Sequence, residues 1–144
     1  MNKVSRILRE KGIRVWKIAK NATVLDALKL MAEKQIGSVM VMDEDEVVGI
    51  FTERDFARRV GLFETKPSTI KVGEVMTSNL ITVIPGDSVH ECMELMTEKH
   101  IRHLPVLDDG KLVGIVSIGD VVKDIIEELQ FMVKQLENYI TGFR

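Results

Sequence analysis

The chain of 144 residues has little of several things: one cysteine, three prolines, and 5% aromatic residues. A lone cysteine excludes an internal disulfide framework and any cysteine-rich metal site. Cys92 sits among Val89, Met93 and Met96 at helical spacing, so it reads as a small buried hydrophobe rather than a nucleophile. So few aromatics leave little material for stacking the bases of a single strand. Neither sign of charge dominates, the formal net charge being −2. With lysines and arginines spread along the chain, no field gathers nucleic acid. No apolar run approaches the length of a membrane span, and none behind the basic N-terminal residues suits a signal peptide. A reducing cytoplasm is therefore the expected compartment. His90 and His100 read as helix-surface residues without metal-ligand spacing, so no zinc site is expected. What remains is ordinary globular material, 45% hydrophobic and 29% charged. At this length a folded chain buries about 70% of its unfolded surface, and no staple is needed.

The sequence repeats itself. Residues 23–56 (TVLDALKLMAEKQIGSVMVMDEDEVVGIFTERDF) align without a gap over residues 88–121 (SVHECMELMTEKHIRHLPVLDDGKLVGIVSIGDV), an offset of 65 that sets Gly49 on Gly114. Twelve of the 34 positions are identical. Similarity of this length without a gap marks two copies of one supersecondary unit.

Each copy reads the same way. Thr23 and Ser88 are N-cap candidates, followed by apolar residues at helical spacing (Val24, Ala27, Leu28, Met31; Val89, Cys92, Met93, Met96). Segments 38–42 and 103–107 read as strands, 43–46 and 108–110 as turns, and 47–51 and 112–116 as second strands of hairpins. A further helix opens near Glu53 and near Ile118. Before the copies, 13–18 and 80–84 read as short entering strands, and 4–11 and 72–76 as short leading helices. Residues 61–70 (GLFETKPSTI) read as a connecting loop. The expected fold is α/β (α+β): two pseudo-symmetric β-α-β-β-α repeats, divided at 1–65, 66–126 and a C-terminal helical extension 127–144. In that extension apolar residues recur at Val122, Ile125, Ile126, Leu129, Met132, Val133, Leu136 and Ile140. Such a stripe on a terminal helix suggests a partner helix, most simply from a second copy.

Both copies close on one short pattern, Gly49-Ile-Phe-Thr52-Glu-Arg-Asp55 and Gly114-Ile-Val-Ser117-Ile-Gly-Asp120. Each runs from a strand end into a helix start, where a hydroxyl and free amides can receive an anion. An Asp in the first turn is favourably placed and could accept both hydroxyls of a ribose diol. The same spacing is also an ordinary capping box, and the residues alone leave both readings open.

The tandem arrangement of helix, hairpin and this closing pattern resembles a pair of CBS (cystathionine-β-synthase) domains, a Bateman module. The stretch IRHLPVLDDGKLVGIVSIGDVV is especially similar, and the likeness covers roughly residues 15–126. It implies two clefts between the repeats that take AMP, ATP, NAD(H) or S-adenosylmethionine, without a metal. Asp55 and Asp120 are then the ribose-binding residues, with Thr52 and Ser117 near the phosphate. The base is implied to be held by the opposite repeat. That groups Asp55 with Thr82, Val83, Ile101, Arg102 and His103, and Asp120 with Lys17, Ile18, Ile36, Gly37 and Ser38. In that grouping the Asp55 cleft collects Arg54, Arg102 and His103, whereas Lys17 is the only obvious cation at Asp120, so tighter phosphate binding is expected at Asp55. His103 has an equally good reading as an imidazole bonded to backbone at a strand edge.

The function implied is a non-enzymatic sensor: a nucleotide-binding regulatory module, homodimeric, that signals to an unknown partner protein by changing conformation. No pairing of nucleophile and base supports catalysis. The alternative is a ligand-free dimerisation scaffold in which both motifs are only helix caps.

Overall fold

A computed structural model describes residues 2–12 and 14–142. The chain forms two compact units. One is the contiguous stretch 14–80; the other joins 81–144 with the N-terminal residues 1–13.

In the first unit, β1 (Lys17–Ala19) pairs parallel with β2 (Ser38–Asp43), which pairs antiparallel with β3 (Glu46–Thr52). Helix α2 (Val24–Lys34) starts at Thr23 through the expected cap, its hydroxyl accepting from Asp26 N. It ends at Gln35, which takes a left-handed conformation. Val24, Ala27 and Met31 of α2 pack with Val39, Val41 and Phe51 of the sheet. Helix α3 (Glu53–Arg59) and the short α4 (Val72–Val75) close this core with Val60, Val72 and Val75. The connecting residues expected as loop contain two single 3-10 turns, 61–63 and 67–69.

The second unit repeats the plan with α5 (Val89–Lys99), β4 (His103–Asp108), β5 (Lys111–Ser117) and the long α6 (Ile118–Ile140). Both hairpins carry an irregularity at the equivalent step, Val41/Met42 and Val106/Leu107. The entering strands differ. Residues 14–16 of the expected strand 13–18 precede β1, and residue 13 lies outside the described residues. The expected strand 80–84 is a single bridge, Val83 with Val106. Proline explains the shortening. In the first unit the ladder is extended by Met40 N donating to the Trp16 carbonyl and Lys20 N to the Met42 carbonyl. The positions 65 residues on are Pro105 and Pro85, which have no N–H to donate.

Helix α1 (Val4–Lys11) belongs to this second unit, although chain order alone groups it with the first repeat. Val4, Ile7 and Leu8 are buried with Val83, Val89, Cys92, Met96, Leu104, Val106, Val116 and Val121. At about 1.5–3 kcal/mol for each fully buried aliphatic side chain, these three residues fix α1 firmly. Its backbone is tied in as well: Val4 N donates to Asp87 O and Val89 N to Asn2 O. The first unit has the counterpart, Val24 N donating to Ile70 O beside α4. Each repeat is thus completed by the segment that precedes the other repeat in the chain.

Candidate functional site

The two closing motifs fold alike. Thr52 ends β3 in an extended conformation and caps α3: its hydroxyl accepts from Asp55 N at 3.2 Å, and Asp55 Oδ2 accepts from Thr52 N at 3.0 Å. Ser117 ends β5 and caps α6 in the same way, accepting from Asp120 N at 3.2 Å while Asp120 Oδ2 accepts from Ser117 N at 2.9 Å. The capping-box reading of the sequence is therefore correct at both places. It does not displace the ligand reading, because a carboxylate offers about four lone-pair sites and the cap residue uses one at Asp120 and two at Asp55, where Thr52 Oγ1 also donates to Oδ2 at 3.2 Å.

Each motif also meets the residues that enter its own hairpin. Ser38 lies opposite Thr52 in the strand register, and Glu53 N donates to Gly37 O at 3.2 Å. In the second unit His103 lies opposite Ser117, and Ile118 N donates to Arg102 O at 2.9 Å. Thus Gly37, Ser38, Thr52 and Asp55 come together in one unit, and Arg102, His103, Ser117 and Asp120 in the other. Around the first motif, Lys17 and Ile18 lie on β1 opposite Met40 and Val41, and Ile36 N donates to Met31 O just past α2. Arg54 is half-buried in the first turn of α3. In the second unit Thr82 is exposed, Val83 is buried against β4, and Ile101 N donates to Met96 O just past α5.

The second partner of each carboxylate was not legible in the motif. Asp55 is buried and its Oδ1 accepts from Thr77 Oγ1 at 2.8 Å. Thr77 reaches it because residues 76 and 77 run beside β3, with Ile50 N donating to Thr77 O and Thr77 N to Ile50 O. Gly49 admits this approach: a Cβ there would lie 2.5 Å from Met76 Sδ and 2.8 Å from the Thr77 carbonyl. Arg59 fastens the same segment by donating to the Met76 carbonyl at 2.6 Å. In the second unit the partner is Lys11, at the end of α1. Its ammonium donates to Asp120 Oδ2 at 2.7 Å and to Ile115 O at 2.9 Å. The expectation that Lys17 is the only cation available to Asp120 is corrected by this contact. One signal pointed to it: the offset of 65 that aligns the repeats sets Lys11 and Gly12 on Met76 and Thr77.

Among the described residues, no three His, Cys, Asp or Glu side chains are grouped to hold a metal ion. No described helix is long and apolar enough to cross a membrane. Cys92 is buried. Burial, with the Asp87 and Glu91 carboxylates adding to it, pushes its thiol up to about 11.

Comparison with known proteins agrees with this duplicated plan. The CBS domain model matches twice, over residues 11–61 and 72–127. A mitochondrial CBS domain-containing protein of Arabidopsis thaliana, CBSX3, is 39% identical over 125 residues, which are 83% of this chain and 61% of that protein. The chain thus spans less than two thirds of that relative. A solved CBS-domain protein of Burkholderia ambifaria is 49% identical with a TM-score of 0.85, covering 88% of this chain and 95% of the other. The CBS domain pair of protein MJ0100, solved in complex with 5′-methylthioadenosine and S-adenosyl-L-methionine, is 25% identical with a TM-score of 0.77. That match covers 89% of this chain and 98% of the other.

Proposed function

The chain belongs to the CBS-domain family as a tandem pair of CBS repeats, and from that premise we propose that it is a regulatory module that binds an adenine nucleotide and catalyses no reaction. The observation that carries the reading is the duplicated carboxylate. Asp55 and Asp120 are each held by a cap at a strand-to-helix junction, with lone pairs beyond those the cap uses. A ribose diol donates two hydrogen bonds and suits such an acceptor. The complex of the MJ0100 pair with two adenosine-containing ligands supports adenosine as the shared recognition element. AMP, ATP and NAD(H) are the ligands proposed, with Thr52 and Ser117 nearest the phosphate.

In this role the ligand stabilises one conformation over another, and a second protein reads the difference. A second copy of the chain, engaged through α6, makes the module a homodimer. Calorimetric titration of the wild type, Asp55→Asn and Asp120→Asn with AMP, ATP, NAD and NADH tests the binding. Asparagine keeps one oxygen for the cap and removes the charge and one diol acceptor. Loss of heat in one or both variants supports the sensor and assigns the occupied motif. Absence of heat with all four, from protein freed of nucleotide, overturns it.

A second reading has its own observation. Both carboxylates already have partners within their units, Thr77 at Asp55 and Lys11 at Asp120. In a ligand-free scaffold those contacts are permanent, and the motifs serve only to start α3 and α6.

A further inference from the structure

We propose that two copies of the chain pair through α6 as an antiparallel, two-fold symmetric coiled coil centred at residue 131. The inference rests on the second-copy reading of α6 and is independent of any nucleotide.

The first turns of α6 are held by their own unit, where Val121 and Asp124 are buried. Beyond them a different face is left uncovered. Val122, Ile126, Leu129, Val133, Leu136 and Ile140 are all exposed, between 48% and 79%. Their spacing alternates four and three residues, the seam of a left-handed coiled coil, and exposed Met132 and Tyr139 widen it on one side. Ile126, Val133 and Ile140 take the first core position of the heptad, and Val122, Leu129 and Leu136 the second. The seam is two and a half heptads, short for an isolated coiled coil. Here the nucleus is supplied by the folded unit, so the cost of starting the helix is already met.

The flanks decide the orientation. One flank of the seam is Lys123, Gln130 and Glu137; the other is Ile125, Met132 and Tyr139. In a parallel pair the two flanks face each other, which sets Ile125 against Gln130 and Met132 against Glu137 of the second copy. In an antiparallel pair each flank faces its own kind. Lys123 then lies opposite Glu137 of the second copy, twice by symmetry, and Gln130 faces its own counterpart. On the other side Met132 faces Met132, and Tyr139 lies towards Ile125, which is already partly buried against the core of its own unit. Only the antiparallel layout pairs opposite charges and joins the apolar flanks, of which Met132 and Tyr139 are exposed in the single chain.

Sedimentation equilibrium of the full chain tests this. The wild type is expected to be dimeric, and Leu129→Asp a folded monomer by circular dichroism. Lys123→Glu and Glu137→Lys should each weaken the dimer, by about tenfold when two ion pairs become repulsions. The double variant should restore most of that loss. A monomeric wild type, or a dimer indifferent to Leu129→Asp, overturns pairing through α6. A dimer that Leu129→Asp abolishes, but whose double charge variant is no tighter than the single ones, overturns the antiparallel register. None of these results depends on whether a nucleotide binds.

Discussion

The ammonium of Lys11 lies 2.7 Å from Asp120 Oδ2, 109 residues away in sequence and the same oxygen that the cap uses, whereas the first repeat sets Thr77 Oγ1 at 2.8 Å on the other oxygen of Asp55, Oδ1. The two repeats solve one packing problem with different chemistry. The segment completing each hairpin must reach past a glycine to the carboxylate of the closing motif. In one unit it delivers a neutral hydroxyl, which can turn from donor to acceptor. In the other it delivers a fixed positive charge. Asp120 Oδ2 already accepts from Ser117 N and from Lys11, so a ribose diol using both oxygens has to displace the ammonium.

Replacing Lys11 with methionine should therefore have opposite effects on stability and on nucleoside binding. The pair is about a quarter to a third exposed on each side, and such pairs contribute about 0.2–1 kcal/mol. Lys11→Met should lower Tm by no more than about 4 °C. With the competitor removed, adenosine should bind the Asp120 motif about 2- to 5-fold more tightly. Titration of adenosine into Asp55→Asn with and without Lys11→Met isolates that motif. Unchanged or weaker adenosine binding would show that the ammonium does not compete with the sugar.

The repeat makes much of this fold legible in the sequence. The hairpins, the caps at Thr23, Ser88, Thr52 and Ser117, and the long terminal helix all follow from local pattern, and local pattern survives in sequence. What did not show was chain crossing. Helix α1 is written before the first repeat and packs on the second, because Val4, Ile7 and Leu8 fill a core whose other members begin at Val83. Nothing in an amphipathic octapeptide says which core it fills. Lys11 inherited that ambiguity, and its ion pair was hidden with it. The reduced entering strand of the second unit was in principle readable, since Pro85 and Pro105 stand where the first repeat donates Lys20 N and Met40 N.

The two motif glycines should tolerate a methyl group unequally. At Gly49 an added Cβ would meet the Thr77 carbonyl at 2.8 Å as well as the Met76 thioether, and backbone held by two hydrogen bonds to Ile50 cannot step aside. At Gly114 the three atoms it would meet first all belong to the far end of the Leu8 side chain. Overpacking costs about 1–3 kcal/mol, so Gly49→Ala should lie near the upper end and Gly114→Ala near the lower. Leu8→Ala should then cost less in the Gly114→Ala background than in the wild type, a coupling that double-mutant denaturation reads directly. Equal losses at the two glycines, with no coupling to Leu8, would contradict the packing described.

Cys92 gives the fold a pH dependence whose sign follows from burial. An unfolded thiol titrates near 8.5, whereas in the fold the thiol is pushed up to about 11. The folded state holds the proton more tightly, so its contribution is complete below about pH 8.5 and is lost as pH rises towards 11. The amount at stake is about 3 kcal/mol. Urea denaturation at pH 8 and pH 10.5 should show the wild type losing more stability than Cys92→Ala over that interval. The difference between the two slopes cancels the packing cost of alanine, which is the same at both pH values. At pH 8 the native thiol should also resist a disulfide reagent that labels the unfolded chain within minutes. Parallel slopes, or rapid labelling of the native protein, would place the thiolate in water and remove Cys92 from the core that α1 and α5 share.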